Sequence, residues 1–448
     1  MDYRIYPPEE MMMAEIALPL SKSISNRMLI INALTPGGDV AVKIADCDDT
    51  NLLAKALSAT AAAKGAVEVN TGAAGTATRF ITAYLSAYEG ITATVDGSER
   101  MRQRPMGILI DSLRALGADI ECTEREGYLP LRINGRRLSG GKLNIDATVS
   151  SQFISALMMI APTMEQGLTL HLEGGLLSKP YIDMTAALMR RNGAEVEFDA
   201  PFEDIVISPK PYSAVGTVVA EADWSAASYW YEASALTAGF VTLPGLQLPS
   251  LQGDSACARL FEMLGVNTEP SEEVEGALEV APTPEQFSRF EVDLIDTPDL
   301  AQTLAVTAAM LGIPFHLRGL KSLRVKETDR LEALRCELDK YGIVVEIRNN
   351  SELVWNGERH PIFERPVIDT YDDHRMAMAF APTAVLIPGI VVRNAEVVSK
   401  SYPGYWDDLV AAGFSVVDAD STSGDADTVL PTGCCGDSQN EQSSTLPI

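Results

Sequence analysis

The residues best suited to chemistry are cations set beside hydroxyl groups at helix starts. In SKSISNRMLIINAL, residues 21–34, Ser21 and Ser23 precede an apolar run at helical spacing, the pattern of a capped start. Arg27 follows Ser23 by four residues and so projects from the same face, one turn inside. Free backbone N–H groups and the dipole make such a terminus a phosphate site, and Lys22 adds charge. In TGAAGTATRF, residues 71–80, Gly75 and Thr76 open a second helix with Arg79 one turn in; glycine lets an anion approach the backbone closely. DGSERMRQRPMG sets Arg100, Arg102 and Arg104 in alternation, which on an extended segment makes one cationic face. VSSQF starts another helix with Ser150, Ser151 and Gln152. Further along come Ser178 and Tyr181 in SKPYIDMT, Lys326, Glu327 and Arg330 in LRVKETDRLEAL, His374 and Arg375 in YDDHRMAMAFA, and Lys400 in SKSYPGYWDDL. This recurrence predicts a polyanionic ligand held by several helix termini.

The elements that must position these groups follow a repeated pattern: an apolar helical stretch, a glycine, then an alternating strand. Copies stand at Gly65, Gly117, Gly193, Gly265, Gly342 and Gly413. Glycine just past a helical period is a left-handed stop, and apolar alternation with acidic residues reads as a half-buried strand. Helix-glycine-strand is common in α/β proteins. Here four of the five spacings lie between 71 and 77 residues, the fifth being 52, which favours a sixfold α/β unit. The apolar run 376–392 is interrupted by Pro382 and by Pro388-Gly389, so it reads as a buried helix, a turn and a strand rather than a membrane span.

The 448 residues allow two or three domains. With 46% apolar and 22% charged residues, the composition is that of a soluble globular chain. A net charge of −27 argues against nucleic-acid binding and against docking on an anionic membrane, while leaving room for an anionic small substrate in a locally basic cleft. The start, MDYRIYPPEEMMM, has no basic region before an apolar core, so no signal peptide is expected. The six cysteines show no metal-ligand spacing, and a reduced cytoplasm is the expected location. From Ala419 the chain lacks Lys and Arg and is rich in Ser, Thr, Asp and Gly, so residues 419–448 read as a disordered tail.

KSISNR, GTATR, RPMG, SSQF, SKPYID, VKETDR, DDHRMAM and KSYPGY, in this order from Lys22 to Tyr405, resemble the signature segments of the 5-enolpyruvylshikimate-3-phosphate synthase family of enolpyruvyl transferases. The resemblance implies transfer of the carboxyvinyl group of phosphoenolpyruvate to the 5-hydroxyl of shikimate 3-phosphate, with release of phosphate, in the shikimate pathway. It implies an α/β fold of two domains, each of three βαβαββ repeats, of the inside-out α/β barrel type. Residues 21–220 would form the shikimate 3-phosphate domain. Residues 1–20 and 221–418 would form the second domain, completing the phosphoenolpyruvate site. Position by position, the resemblance assigns Ser23, Arg27, Ser150, Ser151, Ser178 and Tyr181 to shikimate 3-phosphate, with Gln152 on its ring. Lys22, Gly75, Arg104, Lys326, Arg330, Arg375 and Lys400 fall to phosphoenolpyruvate. Thr76 and His374 stand in the matching segments as further substrate-binding positions. Asp299, in DTPDLAQT, and Glu327 match the acid/base carboxylates. The chain departs from the family at Ala73, where Asn is frequent, at Phe80, where Pro is frequent, and at Ser322, where Asn is frequent near the shikimate phosphate.

The residue types suit the reaction. Addition needs a base for the attacking hydroxyl and an acid for the methylene carbon; elimination needs a base for the methyl group and stabilisation of departing phosphate. A carboxylate among lysines and arginines stays ionised, so Asp299 suits the hydroxyl base. Glu327, between Lys326 and Arg330, suits the methyl proton, and Lys22 is a candidate acid. The cations supply charge stabilisation, so neither a metal nor another cofactor is expected. The partners expected are the two small substrates, and the chain is expected to be a monomer. One rival is the sibling transferase acting on UDP-N-acetylglucosamine, which resembles a Lys-Asn pair at Lys22-Ser23 and carries a cysteine in the loop that here reads GSERMRQRP, without one. A non-catalytic anion-binding relative would be free to lose Asp299 or Glu327. A phosphatase reading starts from DCDDT, residues 46–50, with Asp372-Asp373 as an acidic pair.

Overall fold

The structure is a computed structural model that describes residues 1–37, 42–148, 150–199, 203–214, 216, 218–285 and 287–422. Five four-stranded sheets share one topology. In the sheet of Ala66–Asn70, Thr92–Asp96, Asp119–Cys122 and Leu131–Asn134, the first two strands are parallel and joined through the helix Gly75–Ala87. The fourth strand lies antiparallel beside the second, and the third forms the edge. This is a βαβαββ unit. The sheets starting at Gly141–Asp146 and Phe290–Asp293 repeat it.

The other two complete sheets borrow strands from the N-terminus. Met13–Glu15 is the first strand beside Phe240–Pro244, more than two hundred residues away in sequence. Tyr3–Tyr6 fills the fourth position between Ile390–Val392 and Ser415–Asp418. The sixth unit is reduced among the described residues to Val42–Lys43 paired with Val218–Val219. After the helix Asp48–Ala62 the chain turns through Gly65 directly into the first strand of the next sheet, leaving out a hairpin. That omission explains the short 52-residue interval to Gly117.

All six stop glycines have positive φ, from 73° at Gly342 to 106° at Gly65, where a side chain would strain the backbone. The run 376–392 divides as expected, into the helix His374–Phe380, the turn Ala381–Val385 and the strand Ile390–Val392. The alternating arginines differ from the expectation. Ser98 caps a short helix, Glu99–Arg102, so the three do not share one extended face. Arg102 turns outward to Asp96 and Glu124, and only Arg104 reaches the cleft described below.

Buried apolar side chains fall into two clusters. One runs from Ile24 to Ala220; the other joins Ile5–Leu18 to Ala222–Phe414. The helices in both are apolar on the packed face, and several, such as Ala301–Met310, are buried almost all round, as expected where sheets wrap around them. Among the described residues no helix is long and apolar enough to cross a membrane. The expected tail falls largely on residues 423–448, outside the described residues; Ala419–Thr422 form a single 3-10 turn.

Candidate active site

Between the two clusters lies a cleft with about 1310 Å³ of empty space, counting the part open to solvent. Helix starts from both sides build it. Ser21 accepts a hydrogen bond from the N–H of Ile24, placing Lys22 and Ser23 in the first turn of the helix Lys22–Leu34. Ser150 accepts from the N–H of Gln152 at the start of Ser151–Ile160, and Gln152 donates to the Thr76 hydroxyl at 3.0 Å. Ser178 sits in a left-handed conformation (φ 56°) just ahead of Lys179–Arg191, which carries Tyr181. From the opposite side come Asp299, in the turn before Ala301–Met310, Arg330 at the first position of Arg330–Asp339, and His374 and Arg375 at the start of His374–Phe380. A Cβ at Gly75 would stand 2.5 Å from a terminal nitrogen of Arg104, so a side chain there would displace that guanidinium.

Two carboxylates form the centre of an ion network. Asp299 accepts from Arg330 at 2.9 Å and Arg375 at 2.8 Å, with the Lys326 ammonium at 3.7 Å and the Tyr181 hydroxyl donating at 3.4 Å. Glu327 accepts from Lys400 at 2.8 Å and Arg330 at 3.0 Å, with Arg104 at 3.7 Å. Burial opposes ionisation of both, but the surrounding cations outweigh it and hold both carboxyls well below the usual carboxylate range. Arg330, only 2% exposed in its side chain, also binds Asp373 at 2.6 Å, so one guanidinium bridges three carboxylates. Burial works against the charge of Lys22 as well, yet Asp49 at 3.4 Å holds its ammonium above the ordinary lysine value. Lys326 goes the other way, lowered by burial.

Seven basic side chains line the cleft against four carboxylates, so its local charge is opposite in sign to that of the chain. Two of the seven have no carboxylate within ion-pair distance among the described residues. Arg27 is 1% exposed and donates only to neutral oxygens, those of Thr185, Ser155, Ser23 and Tyr181; burial lowers it to about 10. Arg79 donates to the Gly75 carbonyl, and burial together with Arg104 lowers it well below the ordinary arginine value. Buried guanidiniums without counter-ions are groups an anionic ligand would stabilise. His374 is buried with both ring nitrogens unbonded; burial and the nearby cations keep it neutral.

Every candidate substrate-binding or catalytic residue read from the sequence borders this cleft except Lys400, which stands behind Glu327 and donates to the Ala73 carbonyl at 3.2 Å. Ser322 lines it too. Several groups were missed. Asp49 pairs with Lys22, and Asp373 with Arg330. Asp223 caps two helices at once, accepting from the N–H groups of Lys22 and Ala226. The sequence marks Arg79 as a cation one turn inside a glycine-led helix without assigning it a substrate; Asp373 stands there only in the acidic pair of the phosphatase reading, and Asp223 has no role there. Asp48 and Asp49 open a helix, and Asp373 is taken up by Arg330, which leaves the phosphatase pattern without its acidic pair. Contacts also cross the cleft: Arg100 donates to the carbonyls of Lys326 and Glu327 at 3.0 and 2.9 Å, and Ser399 donates to Asp48 at 2.6 Å.

Residues 60–409 match the family model of EPSP synthase (3-phosphoshikimate 1-carboxyvinyltransferase). A 3-phosphoshikimate 1-carboxyvinyltransferase of Bacteroides fragilis is 48% identical over 417 residues, covering 93% of this chain and 99% of that protein. The protein of the same name from Photobacterium profundum is 34% identical, covering 90% and 97%. A solved structure of EPSP synthase from Acinetobacter baumannii superposes with a TM-score of 0.71 at 21% identity, covering 93% of this chain and all of that one.

Proposed function

The chain belongs to the EPSP synthase family, and from that membership we propose how its cleft divides the work of the reaction. It is a transferase: the carboxyvinyl group of phosphoenolpyruvate passes to the 5-hydroxyl of shikimate 3-phosphate and phosphate is released, within the shikimate pathway to aromatic amino acids. Asp299 takes the proton of the attacking hydroxyl as its oxygen bonds to C2 of phosphoenolpyruvate, while C3 receives a proton and becomes a methyl group. Lys22 is the candidate donor of that proton. Glu327 then removes a proton from the methyl group, the C2–C3 double bond re-forms, and the C2–O bond to phosphate breaks. The observation that carries this division is the partly buried pair Asp299–Glu327, bridged by Arg330 and kept ionised by the surrounding cations.

Ser23, Arg27, Ser150, Ser151, Ser178 and Tyr181 bind shikimate 3-phosphate, and Gln152 its ring. Lys22, Gly75, Arg104, Lys326, Arg330 and Arg375 bind phosphoenolpyruvate, with Lys400 acting through Glu327. Thr76, Ser322 and His374 complete the substrate-binding wall. The uncompensated charge of Arg27 supports the first assignment. The division of the chain into residues 21–220 and residues 1–20 with 221–418 is supported by the two separate apolar clusters. A cytoplasmic location fits the four free thiols among the described residues.

The test is phosphate release from phosphoenolpyruvate with either acceptor. Product should form with shikimate 3-phosphate and not with UDP-N-acetylglucosamine; the reverse would overturn the substrate assignment.

A further inference from the structure

The segment that delivers Asp373 and Arg375 to the cleft is strained. Tyr371 and Asp372 have φ of 54° and 55°, two consecutive side-chain-bearing residues in the left-handed region. Such conformations persist only when the surroundings hold them, and they concentrate where a functional group must be aimed. The next residue, Asp373, accepts from the N–H of Arg375 at 3.0 Å and from Arg330 at 2.6 Å, so the turn sets the geometry of both guanidiniums.

Glu337 is what holds the turn from below. The Tyr371 hydroxyl donates to Glu337 Oε1 at 2.7 Å, and the N–H of Asp369 donates to Oε2 at 3.1 Å. Glu337 lies seven residues after Arg330, two turns along one face of the same helix, and its side chain is fully buried. That helix therefore grips the 369–375 segment twice, through Arg330 on Asp373 and through Glu337 on Tyr371. From the far side Asn394 donates to Asp372 Oδ1 at 2.7 Å. Tyr371 is 39% exposed and does not border the cleft.

We propose that Tyr371 and Glu337 are a positioning pair for the reaction: their hydrogen bond stabilises the left-handed turn and thereby sets Arg375 against Asp299 and Arg330 for phosphoenolpyruvate. The inference rests on the assignment of Arg375 to that substrate. Its test measures KM, kcat and Tm for Tyr371→Phe, Glu337→Gln, Glu337→Ala and, as a control on the underlying assignment, Arg375→Lys. Tyr371→Phe should raise the KM for phosphoenolpyruvate about tenfold, the effect of losing one hydrogen bond to a charged group. Its KM for shikimate 3-phosphate and its kcat at saturation should stay within about twofold of the parent, as expected for loss of uniform binding. Glu337→Gln keeps a carbonyl acceptor for Tyr371 but turns its amide nitrogen toward the Asp369 N–H and the Lys340 ammonium, so it should retain only part of the affinity that Glu337→Ala loses. If Arg375→Lys weakens phosphoenolpyruvate binding while Tyr371→Phe lowers only Tm, the positioning role is overturned. If Arg375→Lys changes nothing, the site assignment itself fails. Should Glu337→Ala not fold, Tyr371→Phe and Glu337→Gln decide the matter between them.

Discussion

Asp299→Asn separates chemistry from binding more cleanly than any other single change. The side chain keeps its size and one oxygen acceptor but loses its charge and its basicity. Removing a positioned general base costs about 10²–10⁴-fold in rate, so turnover should fall by that order. Affinity should move the other way. Asp299 engages Arg375 at 2.8 Å, Arg330 at 2.9 Å and Lys326 at 3.7 Å. At about 4 Å and an effective dielectric of about 20, each such attraction is on the order of 4 kcal/mol, partly cancelled by desolvation. With the carboxylate gone, those cations are free for the phosphate and carboxylate of phosphoenolpyruvate, so its Kd should be unchanged or lower. Breaking a buried pair costs about 3–5 kcal/mol, and Tm should drop accordingly, although Arg330 retains Asp373 and Glu327. The assay pairs calorimetric titration of phosphoenolpyruvate, with shikimate 3-phosphate present, with phosphate-release rates at saturation. A Kd raised more than about tenfold with turnover retained would show a binding rather than a catalytic role, and Glu327 would become the first candidate for the hydroxyl base.

The Cβ of Gly75→Ala would push into Arg104; the KM for phosphoenolpyruvate should rise roughly tenfold, with that for shikimate 3-phosphate unchanged, and an unaltered KM would show that Arg104 is not needed there. Arg27→Lys keeps the charge but not the fork that bonds Thr185, Ser155, Ser23 and Tyr181; calorimetry should show shikimate 3-phosphate binding about 10- to 150-fold weaker, and parental affinity would reassign Arg27 to the scaffold. Glu232 is fully buried with neither carboxyl oxygen hydrogen-bonded, and burial raises its pKa well above the ordinary value. The folded state therefore keeps a proton that the unfolded chain releases above about pH 4.5, so this group removes stability as pH rises. The stability of Glu232→Gln relative to the parent should therefore rise as pH increases above about 4.5, read from denaturant melts at several pH values; a difference independent of pH would refute the buried acid.

What could be read from the sequence was local. A hydroxyl cap, a cation one turn later and a glycine stop lie within a few residues of one another, so Ser21, Ser150 and the six glycines mark their elements without reference to the rest of the chain. The cations at helix starts likewise pointed to an anion site, because free N–H groups and the dipole at a helix terminus favour negative charge. Local alternation misled at Arg100, Arg102 and Arg104, where Ser98 caps a helical turn and Asp96 draws Arg102 away. The tertiary structure alone decided the pairings made across long stretches of chain. Asp373 meets Arg330 after 43 residues, Asp223 caps Lys22 after 201, and Tyr3–Tyr6 closes a sheet with Ile390–Val392. No spacing rule encodes those partners. Bringing such segments together depends on packing that offsets the loop-closure entropy, and a buried ion pair forms only where folding has already removed water from both charges.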